Sequence, residues 1–109
     1  MQLHIVLKPL SETYGITITN TISSLPTIPS NTLEGLIQIE EAGVRAKFNA
    51  TNSVTTCATS GVGGGFLMRA GSDYVVKGWD NLNRMRLYRD DSATDGYINV
   101  IFSGEGEPS

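Results

Sequence analysis

Apolar residues in this chain recur at every second position, in short runs separated by turn-forming residues, and that two-residue period is the signature of strands with a buried face. Residues 2–8 alternate Leu3, Ile5 and Leu7 with His4, Val6 and Lys8, a strand with both faces partly covered, and Pro9 is expected to end it. Residues 14–19 place Ile16 and Ile18 on one face and threonines on the other. Residues 33–40 and 44–49 flank Glu41-Ala42-Gly43, with Ile37 and Ile39 inward on the first side and Val44, Ala46 and Phe48 inward on the second, which predicts a β-hairpin. Extended structure resumes at Phe66–Met68.

The stretch from Gly71 to Arg89 organises the rest. Tyr74, Val75 and Val76 suit a pleated, half-buried surface, and Gly78-Trp79-Asp80-Asn81 predicts a tight polar corner. Beyond it, Met85 and Leu87 are expected on one face of a second strand and Arg84, Arg86 and Tyr88 on the other. Asp95-Gly96 leads into a closing strand over 97–102 with Ile98, Val100 and Phe102 together, and a polar tail follows from Ser103. About seven or eight short strands and no amphipathic helix predict an all-β fold, a single antiparallel β-sandwich or jelly-roll-like domain. Its core is expected over 33–103, with a polar tail over 104–109. Residues 1–32 supply N-terminal strands and an extended arm. Within them, 20–31 carry Pro26 and Pro29 in a Ser/Thr-rich run and should lie extended on this domain or on a neighbouring subunit, anchored by Ile22, Leu25 and Ile28. Residues 50–65, ending in the run Gly61 to Gly65, read as a long flexible loop.

Composition narrows the function classes. The chain has 109 residues, the size of one domain. Its 8 basic and 11 acidic residues give a net charge of -3, which argues against a protein that coats nucleic acid through counterion release. Yet five of the eight basic residues, Arg69, Lys77, Arg84, Arg86 and Arg89, fall between positions 69 and 89, so a local basic strip is open. The single cysteine, Cys57, excludes an internal disulfide. No apolar run approaches the ~20 residues of a membrane span, and the first ten residues lack the pattern of a signal peptide, so synthesis in the cytosol is expected.

Candidate chemistry is sparse. The glycine run at 61–65 lacks the helix and the Lys-Ser/Thr pair of a phosphate loop. Asp90, Asp91 and Asp95 do not match a calcium loop, since Ala93 and Phe102 fall where ligands belong. His4 and Cys57 stand in no nucleophilic motif, Glu40-Glu41 reads as a solvated turn, and Asn49-Ala50-Thr51 is a sequon without a secretory signal. No catalytic residue, metal site or cofactor is therefore expected. The group that stands out is Trp79 with Arg84, Arg86, Tyr88 and Arg89, because Trp, Tyr and Arg are enriched in binding hot spots. The same residues could instead brace the corner through core packing and cation–π stacking.

The segment Gly71-Ser72-Asp73-Tyr74-Val75-Val76-Lys77-Gly78-Trp79-Asp80-Asn81-Leu82-Asn83-Arg84-Met85-Arg86-Leu87, with the closing strand 97–102, resembles small β-sandwich virion proteins of tailed bacteriophages. Their pattern runs Gly-Asp-x-hydrophobic-x-hydrophobic-x-Gly-x-x-Asn-Leu-x-x-hydrophobic-Arg-hydrophobic. Ser72 is an insertion relative to it, the likeness extends to the 33–48 region, and residues 1–30 have no counterpart. The resemblance implies a non-enzymatic decoration or cement protein on the capsid exterior, bound to the major capsid protein and to its own copies, with trimers favoured by the habits of such proteins. It implies no contact with nucleic acid or membrane. The alternative is a carbohydrate-binding or adhesion module using Trp79, Tyr88 and Tyr97 as stacking faces; an enzyme ranks last.

Overall fold

The two-residue period becomes two antiparallel four-stranded sheets packed face to face, in a computed structural model that describes residues 7–48, 65–90 and 94–106. The strands are β1 (Leu7–Ile18), β2 (Ser23–Ser24), β3 (Thr32–Glu40), β4 (Val44–Lys47), β5 (Phe66–Met68), β6 (Asp73–Lys77), β7 (Arg86–Arg89) and β8 (Gly96–Glu105), with one short helix, α1 (Trp79–Arg84), between β6 and β7. The first sheet runs β1-β8-β3-β6 and the second β2-β7-β4-β5. Antiparallel pairs form between β1 and β8, β2 and β7, β3 and β6, and β4 and β5, as though one long hairpin of strand pairs had been rolled up. That is the jelly-roll form of the β-sandwich.

The inward faces are those the alternation predicts. Ile37, Ile39, Ile98, Val100 and Phe102 of the first sheet meet Val44, Ala46, Met85 and Leu87 from the second sheet's side, and Ile18, Leu25, Met68 and Leu82 complete the core. Burying these side chains is the main driving force, at about 1.5–3 kcal/mol for each large one.

The connections differ from expectation. The segments 33–40 and 44–49 do not form a hairpin: β3 pairs with β6 and β8, β4 pairs with β5 and β7, and residues 41–43 carry the chain from one sheet to the other, with Glu41 at φ 71°. Both strands have both edges occupied, so their inward residues face one another across the sandwich rather than side by side. Pro9 does not end a strand either. It lies within β1, whose outer edge is the sheet edge, where a missing N–H costs no ladder bond, and a register shift follows it between Pro9 and Ser11. The closing strand also extends past 102 to Glu105.

The expected corner at 78–81 is the start of α1, and Arg84 is helical rather than part of the second strand. Gly78 permits the entry, with φ 94°, and Asp80 in the first turn and Arg84 in the last suit the helix ends. Leu82 anchors the helix. It fits because β3 carries Gly35 beneath it, where a Cβ would stand 2.8 Å from Leu82 Cδ2 and 3.2 Å from Phe102 Cδ1. The predicted arm at 20–31 lies on its own domain: Ser23 and Ser24 pair with Leu87 and Arg86, and Leu25 enters the core. His4, Cys57, Asp91, the sequon and all but the last residue of the 50–65 loop lie outside the described residues.

Candidate functional site

Sequence alone singles out five residues, and the fold brings two of them together. The proline-bearing segment 24–28 runs beside α1, leaving a groove of about 370 Å³ lined by Ser24, Leu25, Thr27, Ile28, Trp79 and Arg86 among others. Trp79 is the first helical residue. Its Nε1–H donates to the Ile28 carbonyl at 3.4 Å, a long bond that orients the ring, and 39% of the residue remains exposed. Arg86 closes the other end of the helix, donating from Nη1 to the carbonyls of Asn83 at 2.8 Å and Met85 at 3.0 Å. Carbonyls at a helix C-terminus lack intrahelical partners, and a guanidinium satisfies them. Register places Lys47 directly opposite Arg86, so the groove borders a cationic stretch of the second sheet.

The other three do not extend that site. Arg84 points along the solvent side of α1 toward Asp80, 3.2 Å away, in an exposed i,i+4 pair. Tyr88 was expected beside Arg86 as an exposed aromatic, yet it is buried to 1% exposure. It sits opposite Arg45, whose Nε contacts Asp90 Oδ1 at 2.5 Å and whose Nη1 donates to the Gly65 carbonyl at 3.1 Å, so this polar bridge and the Gly65 backbone cover the ring. Arg89 turns to Asp95, with Nη1 to Oδ1 at 2.6 Å, at the end of the sandwich. A basic strip over Arg84, Arg86 and Arg89 is therefore divided among a helix, a groove and an end pair. Tyr97, the remaining stacking candidate, is half-buried on β8 opposite Thr17 and Glu40.

A second surface was not singled out by the sequence reading. On the outer face of the first sheet, Ile101, Leu36 and Val75 make an apolar row across β8, β3 and β6, with Leu36 in register with both of the others; on β1 Glu12 stands opposite Ile101, and Tyr14, two residues on, lines the same surface. Tyr14 and Val75 are well exposed, Leu36 is 37% exposed, and a depression of about 190 Å³ runs among Tyr14, Leu36, Ile101 and the polar Gln38, Asp73 and Asn99. Asn99 is fixed there, accepting from Gly15 N–H and donating to Gln38 Oε1, both at 2.9 Å. Partial desolvation, and then the hydrogen bond and charge of Glu12, raise the pKa of Tyr14 above its ordinary value. The signal was present in the sequence: Leu36, Val75 and Ile101 are apolar residues in the outward phase of strands whose inward phase is already apolar.

Among the described residues no three His, Cys, Asp or Glu side chains gather as metal ligands, and no helix is long and apolar enough to cross a membrane. Comparison with models of protein families, with curated proteins and with solved structures found no match.

Proposed function

We propose that this protein is a non-enzymatic structural component of a virus particle, a decoration or cement protein that binds the major capsid protein on the exterior of a tailed-phage shell. The observation that carries this reading is the apolar row Ile101–Leu36–Val75, with Tyr14 beside it, on the outer face of the first sheet. A monomeric sandwich gains nothing from exposing such a row, whereas a protein that lies flat on a shell buries it. The jelly roll recurs in viral capsid domains, which adds support by fold-level analogy, as does the resemblance of the 71–102 segment to phage virion proteins.

The test is sedimentation of the purified protein with emptied and intact tailed-phage capsids. Saturable binding is expected at a copy number set by the shell's symmetry, lost in Leu36→Asp and kept in Trp79→Ala. Failure to bind, or equal binding by Leu36→Asp, overturns the reading.

One observation favours a second reading. The half-exposed Trp79 indole stands in a groove with the hydroxyls of Ser24 and Thr27 and the amide of Asn83, a combination suited to stacking on a sugar ring while bonding its hydroxyls. Glycan screening followed by Trp79→Ala separates the two, because this reading predicts loss of binding in Trp79→Ala and none in Leu36→Asp. Acrylamide quenching of Trp79 fluorescence that saturating glycan suppresses would support it.

A further inference from the structure

Strand β6 ends the first sheet, and among the described residues nothing pairs with its outer edge. Which backbone groups that edge offers follows from the ladder on its inner side. Gly78 N–H donates to the Leu33 carbonyl at 2.8 Å and Ile39 N–H to the Ser72 carbonyl at 3.1 Å, with Val76 opposite Gly35 and Tyr74 opposite Ile37 between them. Those residues aim their N–H and C=O groups at β3, so Asp73, Val75 and Lys77, one step out of phase, aim theirs away from the sheet. The Asn81 amide caps the Lys77 carbonyl at 2.9 Å. The open edge is thus both groups of Asp73 and Val75 and the N–H of Lys77.

The other sheet edges are blunted. Strand β1 carries Lys8, Pro9 and two register shifts, β2 has two residues and β5 three. Strand β6 has five residues, no proline and an unbroken register with β3. Its outward side chains are all exposed and read Asp73, Val75, Lys77, a sequence complementary to itself when reversed.

We infer that β6 pairs antiparallel with β6 of a second copy of this chain, about a two-fold axis at Val75. This register sets Val75 against the partner's Val75 and Asp73 against the partner's Lys77, twice over by symmetry. Two hydrogen bonds join the Val75 backbones, and one more runs from each Lys77 N–H to the Asp73 carbonyl across the axis. A parallel alignment would instead put Asp73 against the partner's Asp73, so charge selects both direction and register. The two first sheets become one of eight strands, and the apolar row continues through the axis from Leu36 and Val75 to the partner's Val75 and the partner's Leu36. The pairing does not depend on what the outer face binds.

Equilibrium sedimentation of the full chain tests it. The wild type should fit a monomer–dimer equilibrium that weakens at high salt. D73K and K77D each place like charges in both pairs and should weaken association about tenfold or more, with unchanged circular dichroism and melting, since both positions are exposed. Mixing D73K with K77D should restore a heterodimer, and the double variant D73K/K77D a homodimer. A wild type that stays monomeric at every concentration, one that associates as a trimer, or single variants that dimerise as the wild type does would each overturn the inference. Loss of capsid binding in Leu36→Asp with dimerisation intact would leave the two conclusions cleanly separated.

Discussion

The outer faces of the two sheets are made by the same alternation of residues and come out chemically different. On the second sheet the outward positions of β4 and β7 hold Arg45, Lys47, Arg86 and Tyr88, and the two guanidinium groups are engaged at home: Arg45 with Asp90 and Gly65, Arg86 with the carbonyls ending α1. On the first sheet the outward positions of β8, β3 and β6 set Ile101, Leu36 and Val75 side by side, with no polar ends, among polar neighbours such as Gln38, Asp73 and Asn99. Both inner faces are apolar because burial demands it. Folding makes no such demand of an outer face, so its chemistry records what else the surface must meet.

The comparison predicts a ranking of mutational effects. The two inner faces should behave alike: Ile37→Ala in the first sheet and Leu87→Ala in the second each remove a fully buried side chain and should lower unfolding free energy by about 2–5 kcal/mol in urea titration. Next comes the braced outer face. Arg45→Ala strips the cover from Tyr88 and leaves Asp90 partly buried without its partner, for a loss of about 1–3 kcal/mol and a rise in the quenchability of tyrosine fluorescence. At the apolar row, Leu36→Thr should change stability by less than about 1 kcal/mol while abolishing the capsid binding proposed above, so its cost falls on binding where that of Arg45→Ala falls on stability. Arg84→Ala, in an exposed pair with Asp80, should move the melting midpoint little, within about 0.5 kcal/mol. Smallest of all is a pH effect on the apolar face. The raised pKa of Tyr14 means that any stability tied to its phenol form is present below the ordinary tyrosine range and lost as pH rises through the raised value. Glu12→Gln should move the Tyr14 titration, followed by ultraviolet absorbance, back toward that range.

The alternation of Ile37 and Ile39, Val44 and Ala46, Met85 and Leu87, and Ile98 to Phe102 made the inner faces legible, because burial acts on each strand separately. Pairing was less legible, since it is a competition among distant strands: β3 and β4 look like a hairpin locally, but β6, β8, β5 and β7 take their edges. Helix α1 left no periodic signal in six residues, and what holds it, Leu82 over Gly35, is a contact across 47 positions of sequence. The same limit explains the site. Trp79 and Arg86 could be chosen by residue type, whereas the burial of Tyr88 depends on Arg45 and Gly65, which nothing near Tyr88 in the chain announces.

The place of β8 bears on how the protein is made. Last of the described strands, it is an inner strand of the first sheet, with β1 on one side and β3 on the other. A nascent chain that has emerged only as far as Asp90 has β1 without a neighbour, β3 with one edge bare, and no Ile98, Val100 or Phe102 to fill the interior. The fold closes only after Gly96–Glu105 leaves the ribosome, so until then the half-built sheet needs sheltering from its own copies.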